Sequence, residues 1–398
     1  MSGQAGELPS IEQALALVLG RVRQAAPEPV PIEEAAGRVA AADVRAVVDL
    51  PPFPSSAMDG YAVRAADAPG SLQLAGRSSA GTPAALGLTP GHAIAISTGA
   101  VVPEGADAVV PVEDTRELGD RVEVGSVVLG DNVRPRAGDV RAGEVVVAAG
   151  TLLGAAQIGA AAAAGVAVIP CAPRPKVTVV PTGSELRRPG EELSPGEIYE
   201  SNAALLLVLC RSAGAEVTRF EPVADNEEDT LAALAKALEA DVVVTTGGVS
   251  VGVKDLVRGV LRGLGAEEVF WRVAVRPGKP VAFAVRGETL VFGLPGNPVS
   301  SLVAFELFVR PALRALQGAE PGPFYLPGRL DGTLQRNGAR DDLVRATLRA
   351  DDEAVWLRPL SGQSSHMIVR AAAADALVRI PRGEGELGPG SPVRYLTL

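Results

Sequence analysis

A pair of glycines follows a short apolar run in the sequence. Residues 241–244 are Asp-Val-Val-Val, typical of a strand buried on both faces of a parallel sheet, and Gly247-Gly248 follows Thr245-Thr246. Glycines let backbone N–H groups approach a ligand closely, and consecutive amides in such a turn form a concave site for an oxyanion. A helix predicted to start at Asp255 would add its positive end. Taken alone, a glycine-rich turn without a ligand explains this motif equally well.

Three carboxylates stand after predicted strands or beside the glycines. They are Glu185 in Pro-Thr-Gly-Ser-Glu, Asp225 in Ala-Asp-Asn, and Asp255. Loops after parallel strands meet at one edge of the sheet, so we expect the three side chains to converge. Acids beside glycine amides suit a Mg²⁺ ion that bridges to ligand phosphates. The alternative is that Asp225 and Asp255 only cap their helices, and both interpretations can hold together.

Two further segments could contact an oxyanion. Lys279 lies between Pro277-Gly278 and Pro280, a rigid turn that restricts where its ammonium can point. The loop Leu-Pro-Gly-Asn-Pro at 294–298 leads into a helix at Val299-Ser300, which places amides and a hydroxyl at a positive helix end. An exposed turn lysine without a ligand is the alternative for Lys279.

Alternating strands and helices are predicted to position these loops. The predicted strands are 176–180, 217–222 and 241–245, and the predicted helices are 201–212, 227–239 and 299–316. Alternating βαβ units imply a parallel, doubly wound sheet with ligands at the carboxyl ends of its strands.

The remaining sequence predicts additional domains. An amphipathic helix with a capping box starts at Ser10, short β-rich runs fill residues 44–147, an Ala-rich helix follows Thr151 with a strand at 166–169, and β-rich runs follow a linker at 317–323. We therefore expect a multidomain α/β plus β protein with a central doubly wound domain, a β-rich insert and a small C-terminal β-barrel-like domain. The expected domains are 1–43 plus 147–174 (helical and linker), 44–146 (insert), 175–317 (α/β) and 324–398 (C-terminal β).

Composition excludes several classes of function. The chain has 398 residues. Its net charge of −10 argues against non-specific nucleic-acid binding, which needs clustered lysines and arginines. Two cysteines and two histidines cannot build a disulfide framework or a Cys/His zinc site, so a bound metal should have carboxylate ligands. The N-terminus lacks the features of a secretory signal, and the Ala/Gly-rich segment at 151–170 is too weakly apolar to span a membrane. We expect a cytoplasmic protein.

In the predicted insert, Asp59 stands beside Gly60 in Ser-Ala-Met-Asp-Gly-Tyr, and Thr98 lies in Ser-Thr-Gly-Ala after a predicted strand. By themselves both segments are turn signals.

Together, these segments resemble the molybdopterin molybdenumtransferase family, to which the gephyrin C-terminal domain is related. The resemblance covers essentially the whole chain. It is carried by six motifs in the family's order: SAMDGYAV at 56–63, STGAVVPEGADAVV at 97–110, TGSEL at 182–186, TTGGVSVG at 245–252, RPGKP at 276–280 and GLPGNPVS at 293–300.

The resemblance implies a reaction in which adenylated molybdopterin and molybdate give molybdenum cofactor and AMP, with Mg²⁺ assisting cleavage of the phosphoanhydride. It implies catalytic roles for Asp59, Thr98, Glu185, Asp225 and Asp255, with Glu185, Asp225 and Asp255 as metal ligands. The substrate-binding set is Thr182, Gly183, Gly247, Gly248, Ser250, Lys279, Pro295, Gly296, Asn297, Ser300 and Arg345, of which Lys279, Ser300 and Arg345 match molybdate positions.

The resemblance also implies a homodimer in which the insert of one subunit, carrying Asp59, closes over the α/β domain of the other. Contacts with a molybdopterin adenylyltransferase and with acceptor apo-enzymes are further expectations. The sequence departs from the family pattern at three positions: Ser184 replaces an aspartate, Val253 stands where an acid is common, and Arg370 aligns with a serine.

Two alternatives to the transferase stay open. The first is a non-catalytic protein that binds or carries molybdopterin or its cofactor, which Arg370 and the missing acids favour and which predicts binding without turnover. The second is a molybdopterin adenylyltransferase, although its simple versions lack the β insert and the C-terminal β domain.

Overall fold

The computed structural model describes residues 8–248 and 256–398, which divide into two compact units. The smaller unit is residues 29–171, and the larger one joins the segment before residue 29 to residues 172–398. The predicted division into four domains stays a prediction. In the described residues the α-helices are α1 (Ile11–Leu19), α2 (Ala155–Ala163), α3 (Asn202–Ser212), α4 (Glu227–Ala237), α5 (Leu256–Gly263), α6 (Pro298–Ala304), α7 (Arg310–Leu316) and α8 (Ile368–Ala371).

The smaller unit is rich in β-structure, as predicted for the insert. Its main sheet has, in spatial order, the strands Ala108–Pro111, Gly60–Val63, His92–Ile96, Gly70–Ser78, Arg121–Val124 and Thr115–Leu118. Its shorter strands are Val44–Arg45, Ser55–Ser56, Val133–Arg134, Val145–Val147, Val168–Cys171 and, from the boundary, Glu28–Pro31. The Ala-rich segment forms α2, with Ala161 buried, and the strand predicted at 166–169 begins two residues later.

A six-stranded sheet organises the larger unit. Its strands are β1 (Lys176–Pro181), β2 (Glu216–Arg219), β3 (Val242–Thr246), β4 (Glu267–Trp271), β5 (Ala282–Arg286) and β6 (Thr289–Leu294). The spatial order is β2-β1-β3-β6-β5-β4. The first four strands in this order are parallel, and β5 and β4 are antiparallel to their neighbours. The prediction of a doubly wound sheet is confirmed.

Both faces of this sheet are covered by helices. Val242 and Val244 face a core that includes residues of α1, α3, α6 and α7, whereas Val243 between them packs with residues of α4 and α5. Successive side chains of a strand point to opposite faces, so a strand buried on both sides must be apolar throughout. This explains the continuous run of valines.

Helix ends follow local sequence signals, with one departure from the prediction. The Ser10 hydroxyl accepts from the Gln13 N–H, and the Gln13 side chain accepts from the Ser10 N–H, which completes the predicted capping box.

The helix predicted at 299–316 is instead α6, a π-helical turn at Phe305–Val309, and α7. Pro311 has no N–H to donate to the preceding turn, so the regular α-helical pattern cannot pass through it unchanged.

The C-terminal region forms a closed five-stranded barrel, as expected. Its strands are Leu326–Leu330, Asp341–Ala350, Val355–Pro359, Ala376–Ile380 and Pro392–Thr397, and pairing between Asp341–Ala350 and Ala376–Ile380 closes it. Short strands at Leu186–Arg187, Ile198–Tyr199, Val275–Arg276, Leu334–Gln335 and Glu386–Leu387 complete the larger unit. Within the described ranges, no helix is both long and apolar enough to cross a bilayer.

A substitution of Phe283 tests the core of the larger unit. Its side chain is fully buried, with ring centroids 5.7 Å from Phe270 and 5.0 Å from Phe292. We expect Phe283→Ala to lower the free energy of unfolding by about 3–5 kcal/mol, because it removes a buried ring and leaves a cavity. Urea unfolding followed by tryptophan fluorescence measures this, since both tryptophans, Trp271 and Trp356, belong to this unit.

The matched control is Leu231→Ala on α4, where the leucine is 45% exposed and a change within about 0.5 kcal/mol is expected. Equal effects of the two substitutions would contradict the assignment of Phe283 to the core.

Candidate active site

Three parallel strands end at one level and bring their loops together. The register pairs Pro181 of β1 with Thr246 of β3, and Thr246 with Leu294 of β6. Beyond the strands, the Thr182 N–H donates to the Thr246 carbonyl at 2.9 Å, and the Gly247 N–H donates to the Leu294 carbonyl at 3.2 Å. The three loops therefore leave the sheet side by side, as predicted for the carboxyl edge of a parallel sheet.

Gly247 and Gly248 allow this close approach. Gly247 has φ +92°, and a Cβ atom there would lie 2.3 Å from the Thr182 carbonyl oxygen. Gly248 has φ +64°, and its Cβ atom would lie 2.7 Å from a methyl group of Val257. Both positions therefore require glycine for backbone conformation and for space. The predicted sites Ser250 and Asp255, and the start of α5 at Asp255, lie outside the described residues.

The structure brings Glu185 and Asp225 to the same cleft. The Ser184 hydroxyl accepts from the Asp225 N–H at 2.9 Å, and the Ser184 N–H lies 3.5 Å from the Asp225 carboxylate, so Ser184 joins the two loops. Asp225 is not the cap of α4: Asn226 is, and its side-chain oxygen accepts from the Asp229 N–H at 2.9 Å. The helix-cap interpretation of Asp225 is therefore wrong, because its neighbour already fills that position.

The cleft has a volume of about 710 Å³, within the range of roughly 300–1,000 Å³ that is common for small-molecule sites. Of the predicted substrate-binding residues, it is lined by Thr182, Gly183, Gly247, Gly248, Pro295, Gly296 and Asn297. Among the described lining residues, the charged side chains are three carboxylates, Glu185, Glu200 and Asp225, without a lysine or arginine. A phosphorylated ligand would therefore meet charge of its own sign in this part of the chain.

Two buried side chains at the cleft were missed by the sequence analysis. The Asn202 amide donates to the Thr246 hydroxyl at 2.8 Å and to the Gly296 carbonyl at 2.7 Å, which ties β3 to the loop before α6. Glu200 accepts from the Ala203 N–H at 2.6 Å, and it lies 1% exposed. In the described structure, Asn202 Oδ1 and Glu200 Oε2 have no hydrogen-bond partner. Asn202 is the first residue of α3 and Glu200 precedes it, and nothing in the local sequence signals the contacts that Asn202 makes with Thr246 and Gly296.

His366 and Ile368 also line the cleft, where a loop held by Arg345 leads into α8. Arg345 is 1% exposed, and its guanidinium donates to the carbonyls of Gly362, Ser364 and Met367 at 2.7–3.1 Å. Burial, and then the nearby positive charge of Arg370, lower the pKa of Arg345.

The predicted molybdate contacts do not line this cleft among the described residues. Lys279 is exposed and adjoins Pro280, which does line it, whereas Ser300 is buried at the start of α6. Arg345 donates to the loop just described, and Arg370 donates to the Ser361 hydroxyl at 2.9 Å. The assignment of Lys279, Ser300 and Arg345 to molybdate stays a prediction.

In the smaller unit, Asp59 and Thr98 are neighbours. The Thr98 N–H donates to the Asp59 carboxylate at 2.7 Å, and both side chains are exposed. Asp59 precedes the strand Gly60–Val63, and Thr98 follows the strand His92–Ile96, with Gly60 paired opposite Ile96. A Cβ atom on Gly60 would lie 2.0 Å from the Val110 carbonyl oxygen, so only glycine fits beside Asp59. Their catalytic roles stay predictions.

Three family models match the chain in succession. They are the MoeA N-terminal region (domain I and II) over residues 9–165, a probable molybdopterin binding domain over 178–315, and the MoeA C-terminal region (domain IV) over 327–398. The loops that follow β1, β3 and β6, which we call the rim of the cleft, belong to the second match. The fold and site thus define a class of proteins built around a molybdopterin-binding α/β domain.

Proteins that are similar to this chain over nearly its full length identify the family within this class. Molybdopterin molybdenumtransferase 2 of Mycobacterium tuberculosis is 38% identical, over 98% of this chain and 99% of its own length. The molybdopterin molybdenumtransferase of Nostoc is 36% identical, over 91% of this chain and 86% of its own length. A crystal structure of the molybdopterin biosynthesis MoeA protein from Pyrococcus horikoshii is 30% identical, covers 98% of this chain and 100% of its own, and superposes with a TM-score of 0.85. The chain belongs to the molybdopterin molybdenumtransferase family of enzymes, and the resemblance is confirmed.

Gly247→Ala tests the construction of the rim. We expect a loss of about 2 kcal/mol or more in unfolding free energy, because the new methyl group overlaps the Thr182 carbonyl and the residue has a left-handed φ. Gly259→Ala is the control: Gly259 is an exposed residue within α5 with open space around it, where alanine favours the helix. A Gly247→Ala protein as stable as the wild type would contradict the close approach of the two loops.

Proposed function

We propose that this enzyme inserts molybdenum into adenylated molybdopterin, cleaving the adenylate to give molybdenum cofactor and AMP. The observation that carries the proposal is that Glu185, Asp225, Gly247 and Gly248 line one cleft in the larger unit. Membership of the family supplies the reaction class, and the names of its relatives supply molybdopterin as the substrate class.

The residues of the cleft fit a Mg²⁺ ion. Mg²⁺ in proteins commonly binds one or two carboxylates and completes its octahedral shell with water and substrate phosphates. Glu185 and Asp225 are two such carboxylates, and within the described ranges no group of three or more acids, histidines or cysteines is placed to hold a metal alone. When bound, the ion would withdraw negative charge from the phosphates of the ligand.

The protein's own groups then have distinct tasks. Glu185 and Asp225 would hold the metal. The Gly248 N–H would donate to a phosphate oxygen, because the Gly247 N–H already donates to the Leu294 carbonyl. Asn202 keeps two loops of the rim in register through its bonds to Thr246 and Gly296. Lys279, exposed beside the cleft residue Pro280, would contact molybdate.

Release of AMP tests the proposal directly. Purified protein with adenylated molybdopterin, molybdate and Mg²⁺ should release AMP, and chelation of Mg²⁺ should abolish the release. Absence of AMP at saturating substrate and Mg²⁺ would refute the transferase. Tight binding of the substrate without any AMP would instead establish the carrier alternative, and ATP-dependent adenylation of free molybdopterin would establish the adenylyltransferase.

Asp225→Asn tests the metal site without a change of shape. We expect AMP release to fall at least about 100-fold and the Mg²⁺ concentration for half-maximal activity to rise about tenfold, because a neutral amide is a poor ligand for a hard cation. The control is Glu221→Gln, which removes a carboxylate from an exposed ion pair with Arg188 and should leave activity unchanged. Unaltered Mg²⁺ dependence in Asp225→Asn would exclude this residue as a ligand.

We further propose a homodimer in which Asp59 and Thr98 serve the site together with the α/β cleft. The chain mass is 40.6 kDa, so light scattering should give about twice this value. If two chains share each site, mixing inactive Asp59→Asn and Asp225→Asn proteins should restore part of the activity, and a monomeric mass would contradict the proposal. A cytoplasmic location and contacts with an adenylyltransferase and apo-enzymes stay predictions.

A further inference from the structure

A second cleft, of about 460 Å³, lies in the larger unit and shares no lining residue with the first. Its walls come from α3, the run from α6 to α7, the linker before the barrel, the end of α8, and the end of the last barrel strand. They combine apolar side chains such as Leu209, Leu302 and Phe324 with two arginines of α7, Arg310 and Arg314. Apolar walls with a few convergent polar groups are typical of small-molecule sites.

Arg310 already has an anionic partner. Its guanidinium makes two hydrogen bonds to the Glu306 carboxylate, at 2.7 and 2.9 Å, and a longer one of 3.3 Å to the Ser212 hydroxyl. The Glu306 side chain is 8% exposed, so this pair is largely removed from water. Glu306 therefore neutralises one of the two guanidiniums, at the cleft wall formed by the π-helical turn.

Arg314 has no such partner. It lies one helical turn beyond Arg310 on the same face, and its Nε donates to the Glu320 carbonyl at 2.8 Å while the guanidinium stacks over Phe324 at 4.6 Å. Within residues 8–248 and 256–398 it forms no ion pair. Burial, and then the charge of Arg310, lower its pKa, and the attraction of the Glu320 carboxylate offsets this only in part. The two cations thus line one cleft, and the Glu306 carboxylate pairs with Arg310 and not with Arg314.

We propose that this cleft binds a small organic anion whose phosphate or carboxylate group is held by Arg314, with Arg310 beside it, and whose apolar part packs against Leu302 and Phe324. A guanidinium presents a planar fork of N–H groups that matches the oxygens of both kinds of anion. An anion would give the partly buried Arg314 the partner it lacks and offset its repulsion by Arg310. The apolar walls would exclude a free inorganic ion as the preferred ligand.

The test measures binding to the full-length protein by calorimetry, using phenyl phosphate, benzoate, inorganic phosphate and benzyl alcohol. We expect saturable binding of phenyl phosphate or benzoate, and the tighter of the two identifies the anionic group. Inorganic phosphate should bind at least about tenfold more weakly, and benzyl alcohol should not bind. Arg314→Gln should weaken binding of the tighter probe by about tenfold or more, without change in AMP release.

The control for Arg314→Gln is Arg286→Gln, since Arg286 is exposed and likewise donates through Nε to one backbone carbonyl, that of Leu264. Phe324→Leu is a second variant at a 44% exposed position, and it should weaken the two phenyl-bearing anions but not inorganic phosphate. The proposal is overturned if neither phenyl-bearing anion binds, if Arg314→Gln folds and binds as the wild type does, or if inorganic phosphate binds as tightly as phenyl phosphate.

Discussion

The candidate site depends on the in-register ending of three parallel strands. Because Thr246 is paired with Pro181 on one side and with Leu294 on the other, the next residues of each strand must leave the sheet within hydrogen-bonding distance of each other. The Thr182 N–H and the Gly247 N–H continue the ladder for one more bond each. Any side chain at residue 247 would force these loops apart. The fold therefore requires glycine at residue 247 whether or not a ligand is bound.

Some polar groups around this rim hold the loops together, and others are available to a ligand. The Ser184 and Asn202 side chains form hydrogen bonds that join neighbouring loops, and Asn226 caps α4 in place of Asp225. Ser184 also accounts for a departure from the family pattern, because its hydroxyl bonds to the Asp225 N–H, which a carboxylate at the same position would also accept. This substitution removes a negative charge next to the cleft residue Glu185 while the two loops remain joined.

The sequence predicted the α/β unit well because its signals are local. Continuous valines mark the strand buried on both faces, and paired glycines mark the turn after it. It missed Asn202 and His366 because their importance depends on residues far away in the sequence: Asn202 bonds to Thr246 and Gly296, and His366 reaches the cleft on a loop held by Arg345. The π-helical turn was missed for a different reason. The prediction of one helix at 299–316 did not take Pro311 into account, and a proline by itself does not tell how the preceding turn accommodates the missing N–H.

The two clefts of the larger unit differ in charge, and this difference should separate their ligands. In the described part of the first cleft, Glu185, Glu200 and Asp225 supply only negative charge, so a phosphorylated ligand needs a cation between itself and the protein. In the second cleft, Arg314 supplies a positive charge without a close carboxylate partner of its own, so an anion can bind there directly. Affinity at the first site should therefore rise with the concentration of a divalent cation. Affinity at the second should fall with ionic strength through screening alone.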